Sequence, residues 1–219
     1  MSQALYFSRI QRRLSPDLRW NPYRTHQQLW RLFPKDQDAN RDFLYRYDLD
    51  RGGPRFYVVS MRLPQSRQGW LVESRSYAPI LKSGQRLFFN LRANPIVTKR
   101  DEADKRHRHD VVMAYKKEHP DWHRHFTNGQ LMEKVGLDWL ETRAESNGFR
   151  FDRTAVRVEA YRKHRFNKNK AQGKPISVNT LDFQGLLEVV DPDNFKRALY
   201  NGIGRGKAFG CGLMLVKPA

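Results

Sequence analysis

The sequence predicts an α+β fold in which two units of similar size follow one another. Three observations predict it. The chain opens with the order strand, helix, hairpin, strand, which is most of a ferredoxin-like unit. Its second half runs helix, two long strands, helix, strand. With 39% hydrophobic and 12% aromatic residues over 219 positions, it can bury a sizeable core, in one large domain or two small ones.

The elements follow in order. "ALYFSRIQ", residues 4–11, reads as the first strand. In "SPDLRWNPYRTHQQLWRLFP", Asn21 is placed to cap a helix, Pro22 to occupy its first position and Pro34 to stop it. "DFLYRYDLD" and "PRFYVVSMR" are aromatic-rich and alternating, and Arg51-Gly52-Gly53 between them signals a hairpin. "QRLFFNLRANPIVT" is the strand that closes the first unit, taken as residues 1–98.

From Lys99 to His125 the composition turns charged and histidine-rich, which predicts a crossover or exposed arm over 99–125. The second unit is expected over 126–219. "GQLMEKVGLDWLETRAESNG" carries Leu131, Val135, Trp139 and Leu140 at helical spacing, with Gly148 as the stop. "FRFDRTAVRVEAYRKHRF" and "ISVNTLDFQGLLEVV" read as long strands around the polar, basic tip "NKNKAQGKP". A helix from Pro192 and a strand from Gly210 close the chain.

Forty-one Lys and Arg against 23 Asp and Glu give a net charge of +18. That balance in a globular chain is the footprint of a nucleic-acid binder. No basic amphipathic helix or lipidation signal points to a membrane. The single cysteine, Cys211, excludes an internal disulfide and a cysteine-based zinc site, and its apolar context reads as core. There is no leader and no apolar run of spanning length, so the expected location is the cytoplasm.

"NGIGRGKAFGCG", Asn201 to Gly212, places five glycines around Arg205 and Lys207. As a Walker loop it fails: Ala208 follows Gly206-Lys207, and Asn201 stands five before Gly206. As a dinucleotide fingerprint it also fails, because position 207 is Lys and the order runs helix to strand. No nucleotide cofactor is expected.

Arg153, Arg157, Arg162, Lys163, Arg165, Lys168, Lys170 and Lys174 lie along the predicted hairpin, which could follow a phosphate backbone or form a solvated, lysine-protected edge. His107, His109, His119, His123 and His125 lack metal-ligand spacing, and no metal is expected. His26 is open to two readings. With Tyr23, Trp30 and Phe33 it falls on a helical core stripe, yet a histidine beside a tyrosine is sufficient equipment for RNA transesterification.

Three stretches carry a resemblance: "LYFSRI" followed by "YRTHQQLWRLFP", the "RGGPRFYVVS" hairpin, and "GIGRGKAFGCGLM". With them the chain resembles the CasE family, the CRISPR repeat-processing endoribonucleases of type I-E Cascade. The resemblance implies two tandem ferredoxin-like (RRM-like) domains. They would bind a repeat hairpin in precursor CRISPR RNA and cut at the 3′ base of its stem, leaving a 2′,3′-cyclic phosphate and a 5′-hydroxyl. The partners implied are the crRNA and other Cascade subunits, with no metal or other cofactor. The family's helix histidine falls on His26 and its helix tyrosine on Tyr23, with Arg24 or Arg31 as a neighbouring cation. Its glycine-rich loop falls on Gly202, Gly204, Arg205, Gly206 and Lys207, where a bare backbone and two cations would hold RNA. A non-catalytic RNA-hairpin-binding or architectural subunit is the alternative that cleavage of a repeat RNA would separate.

Overall fold

The computed structural model describes residues 4–12, 21–34, 42–50, 53–167 and 175–219. The first unit comprises β1 (Tyr6–Arg12), α1 (Pro22–Trp30), β2 (Phe43–Asp50), β3 (Gly53–Ser60) and β4 (Trp70–Ser76). Its strands pair antiparallel in the order β2-β3-β1-β4. Residues 61–69, where a second helix would complete the βαββαβ motif, are not helical.

The α1 helix starts where the sequence places it. The Asn21 side chain accepts from the backbone N–H groups of Tyr23 and Arg24, at 3.1 Å each, and Pro22 occupies the first turn. The helix ends at Trp30, short of Pro34, because the N–H groups of Leu32 and Phe33 turn back to the carbonyls of Leu29 and Trp30. Leu29, Leu32 and Phe33 bury against Phe43, Tyr45, Phe56 and Ile10. Alternation on β2 sends Phe43 and Tyr45 into this core and turns Leu44 toward Val59 and Leu213 on the opposite face.

The second unit begins with β5 (Arg86–Ala93). It continues through β6 (Ile96–Arg100), β7 (Arg106–Asp110), α2 (Val111–Glu118), α3 (Asn128–Ala144), β8 (Phe149–Arg150), β9 (Val156–Phe166), β10 (Ile176–Val189), α4 (Pro192–Asn201) and β11 (Met214–Pro218). β5 lies between β11 and β10, and β10 also pairs with β8 and β9. Leu131, Val135 and Leu140 of α3 and Phe195 and Leu199 of α4 pack on this sheet. Both units are thus ferredoxin-like.

Four sequence expectations differ from this arrangement. The strand read from "QRLFFNLR" belongs to the second sheet, not the first; the first sheet closes with β4, whose half-exposed, polar stretch carries little hydrophobic signal. The change of sheet therefore falls between Ser76 and Arg86 rather than at 98. The segment 99–125 is no bare arm: it completes the β6–β7 hairpin and forms α2, whose Val111 and Val112 enter the core. The long strand expected from Phe149 is broken by a turn at Arg153–Ala155, and the final strand starts at Met214 rather than Gly210.

The units are joined by apolar and charged contacts. Leu44 and Val59 pack with Leu213, flanked by Tyr57, Tyr77 and Tyr200. Beside them Arg92 grips Asp182 with two bonds of 2.7 and 2.8 Å and donates to the Tyr47 carbonyl at 2.6 Å. Arg46 reaches Asn90 at 2.6 Å from the first sheet.

Candidate functional site

Thr25 and Leu29 anchor α1 in the core, which leaves His26 half-buried at the margin of that buried face. Its ring stacks on Phe43 and Tyr45, with centroids 5.4 and 6.1 Å away and interplanar angles of 26° and 25°. Trp30, one turn on, lies tilted at 5.9 Å. The imidazole is packed on aromatic rings, which limits its rotamers, and the residue is only partly buried. Tyr23 is half-buried and its hydroxyl accepts from Gln27 Nε2 at 3.1 Å. Arg24 and Arg31 are exposed at the two ends of the helix.

The glycine loop packs against this helix end. Tyr45 is fully buried, and its hydroxyl lies 3.2 Å from the Pro22 carbonyl in α1 and 3.1 Å from the Ala208 carbonyl in the loop. Gly202, Gly204, Gly206, Gly210 and Gly212 all have positive φ. The neighbours that forbid a side chain are protein groups. A Cβ at Gly202 would come 2.9 Å from Leu44, and one at Gly204 would come 2.9 Å from the Trp139 ring. The loop is further tied to β5: Arg205 pairs with Asn94, and the Gly212 N–H donates to the Arg92 carbonyl at 2.7 Å. Arg205 is left exposed and Lys207 half-buried, so the loop presents cations on a backbone fastened to both units.

The basic hairpin is β9 with β10, and a bulge divides its cations. The register shifts between Thr180 and Asp182, opposite Ala160, whose φ is 55°. Val156 and Val158 belong to the core side, so Arg157 points to the opposite face. Beyond the bulge, Arg162 shares that opposite face and bonds Asp182 at 3.0 Å, whereas Lys163 and Arg165 stand on the same side as Tyr161. Arg153 lies in the preceding turn with its guanidinium committed to Asp138 and Glu141, at 2.9 and 2.7 Å. Lys168, Lys170 and Lys174 fall outside the described residues.

Of the remaining histidines, His107 of β7 pairs with Asp101 of the β6–β7 turn at 2.6 Å, and His125 lies 3.5 Å from Asp121. Among the described residues no group of three or more His, Cys, Asp or Glu could hold a metal, and no helix is long and apolar enough to cross a membrane. Cys211 is fully buried, and that burial pushes its thiol up to about 12.

Sequence reasoning singled out the helix and the loop but not Tyr45, which connects them. Tyr45 lies in a strand whose alternation was legible, yet its hydroxyl's partner is 163 residues away. Local spacing carries no signal for such a contact.

A family model described as CRISPR associated protein matches residues 5–218. The chain is 33% identical over 217 residues to the CRISPR-associated endoribonuclease Cse3 of Thermus thermophilus, covering 90% of each. It is 29% identical over 221 residues to the CRISPR system Cascade subunit CasE of Escherichia coli, covering 98% of this chain and 100% of that protein. A structure of CRISPR endoribonuclease Cse3 bound to 19 nt RNA superimposes with a TM-score of 0.73 at 29% identity, over 98% of this chain and 100% of that one.

Proposed function

This chain belongs to the CRISPR-associated protein family, and from that membership we propose that it is a CRISPR repeat-processing endoribonuclease. It binds the repeat hairpin of precursor CRISPR RNA and cuts at the 3′ base of the stem. It then keeps the crRNA as a subunit of a Cascade complex. One observation carries the reading: a histidine seated on aromatic rings shares its supporting residue, Tyr45, with a cation-bearing glycine loop.

The 2′-hydroxyl attacks the adjacent phosphorus, forming a 2′-O–P bond as the bond to the 5′-oxygen breaks. One proton leaves the 2′-oxygen and one arrives on the 5′-oxygen. His26 moves one of these protons, and its fixed seat limits the reorganisation this requires. Tyr23 orients the phosphate or helps protonate the leaving oxygen. Arg24 or Arg31 stabilises charge on the phosphorane. The loop over Gly202, Gly204, Arg205, Gly206 and Lys207 holds the RNA backbone, and the β9–β10 hairpin follows the stem. The nucleophile belongs to the RNA, so the reaction calls for no metal-activated water.

Incubation with the repeat RNA of the source genome in excess EDTA tests the reading. A single cut at the 3′ base of the stem is expected, with 2′,3′-cyclic phosphate and 5′-hydroxyl ends. A requirement for Mg²⁺, or a 3′-hydroxyl product, would overturn the mechanism.

A further inference from the structure

The open face of the second sheet carries a feature that hairpin cleavage does not use. Phe88 is 46% exposed although it lies on β5, an interior strand flanked by β11 and β10. The pairing register sets out its neighbours. One row across the sheet reads Leu215, Asn90, Gln184, Arg157, and the next contains Lys217, Phe88 and Leu186. All of these but Leu186 line an open groove of about 490 Å³.

The groove's chemistry selects its occupant. Two cations flank it, Arg157 from β9 and Lys217 from β11, and no carboxylate is among the residues that line it. Lys217 Nζ lies 5.5 Å from the Phe88 ring centroid, which places a positive charge beside an exposed aromatic surface. Asn90 and Gln184 supply amides between them; the Asn90 oxygen already accepts from Arg46 at 2.6 Å, so its contribution is the NH2 donor. Gln184 donates to Glu159 at 3.0 Å and keeps its carbonyl oxygen as an acceptor. An aromatic platform with amides and edge cations suits an unstacked base joined to phosphates; in a duplex the bases are already stacked and their faces unavailable.

We propose that this face, centred on Phe88 with Arg157 and Lys217, binds single-stranded RNA and takes the unpaired tail flanking the repeat hairpin. The proposal rests on the endoribonuclease reading only for the identity of the RNA that bears the tail.

The test compares three RNAs: a repeat hairpin made uncleavable by a 2′-deoxy sugar, the same hairpin with a uridine tail on either side, and a free oligouridine. A tail is expected to tighten binding by roughly five-fold or more, the scale of one base stacked on an aromatic ring. Phe88→Ala should remove that gain, Phe88→Tyr should restore it, and both variants should bind the tail-less hairpin and cut the unmodified, all-ribose repeat as the parent protein does. A 5-iodouridine in the tail should crosslink to the β5 segment. No gain from either tail in the parent protein, or a full gain in Phe88→Ala, would overturn the proposal. So would a Phe88→Ala protein that binds every RNA normally but no longer joins the other Cascade subunits, because the face would then be a protein contact. Failure of the parent protein to bind the hairpin, or to cut the unmodified repeat, would instead defeat the endoribonuclease reading, and the oligouridine would still report on the face.

Discussion

The Tyr45 hydroxyl lies 3.1 Å from the Ala208 carbonyl, fastening the strand beneath α1 to the glycine loop near the other end of the chain. The same hydroxyl lies 3.2 Å from the Pro22 carbonyl, so one buried oxygen links helix, strand and loop. Tyr45→Phe deletes that oxygen and preserves the ring under His26. A loss of about 1–2 kcal/mol is expected, since buried carbonyls are left without their donor. Denaturant midpoints measure it. If the link also aligns His26 with the loop, kcat should fall more than KM rises.

His26→Ala should lower the cleavage rate by about 10²–10⁴-fold, the range for loss of a general acid or base, while leaving hairpin affinity nearly unchanged. A substrate with a 2′-deoxy sugar just upstream of the scissile phosphate should bind and stay intact. Efficient cutting of that substrate would mean that water attacks instead, and His26 would lose its assigned role.

Gly204→Val should destabilise the protein whether or not RNA meets the loop. Gly204 has φ of 78°, and its Cβ would press on the six-membered part of the Trp139 ring at 2.9 Å. Strain and overpacking together should cost about 2–4 kcal/mol. Trp139→Phe in the same chain should recover the clash but not the backbone strain. A double-mutant cycle with no coupling would show that Trp139 does not limit the site.

The bulge at Ala160 divides the hairpin's cations into two groups, and salt titrations can tell which meets the phosphate backbone. Replacing Lys163 and Arg165 together should reduce the log–log salt slope of hairpin binding by roughly 1.4–1.8, about 0.7–0.9 per contact. Arg153→Ala should leave the slope unchanged, because its guanidinium is already held by Asp138 and Glu141. An unchanged slope in the Lys163 and Arg165 variant would remove that face from the interface.

Acid should weaken the joint between the units. Burial alone would raise the Asp182 carboxyl, but the two bonds from Arg92, with Arg46 and Arg162 nearby, hold it below the usual carboxylate range. Its stabilising contribution is therefore complete above the ordinary Asp value of about 4 and is lost as pH falls through the lower folded value. Asp182→Asn leaves the largely buried Arg92 with only the more distant Asp48, 3.8 Å away, as a counter-charge, so it should cost about 3 kcal/mol at pH 7. The variant's stability should also vary less with pH below 4, measured by urea unfolding.

The sequence by itself determined what depends on neighbours within a few positions. Asn21 and Pro22 start a helix because a capping oxygen and a fixed φ act locally, and alternation in residues 43–50 and 53–60 marks the two faces of a hairpin. The glycines of 202–212 signal a backbone that other residues cannot adopt, and +18 of charge signals a polyanionic partner whatever the fold. His26 and Tyr23 could be named, through a family resemblance, on a helix placed by its own cap. Only the tertiary structure decided what those glycines touch, which sheet Arg86–Ala93 joins, and which hairpin cations share a face. Strand pairing and ion pairs such as Arg92 with Asp182 are contacts between distant segments, and their geometry depends on every element between them. Ala160 is the sharpest case: one residue of bulge transfers all later side chains to the other face, and nothing in its composition announces it.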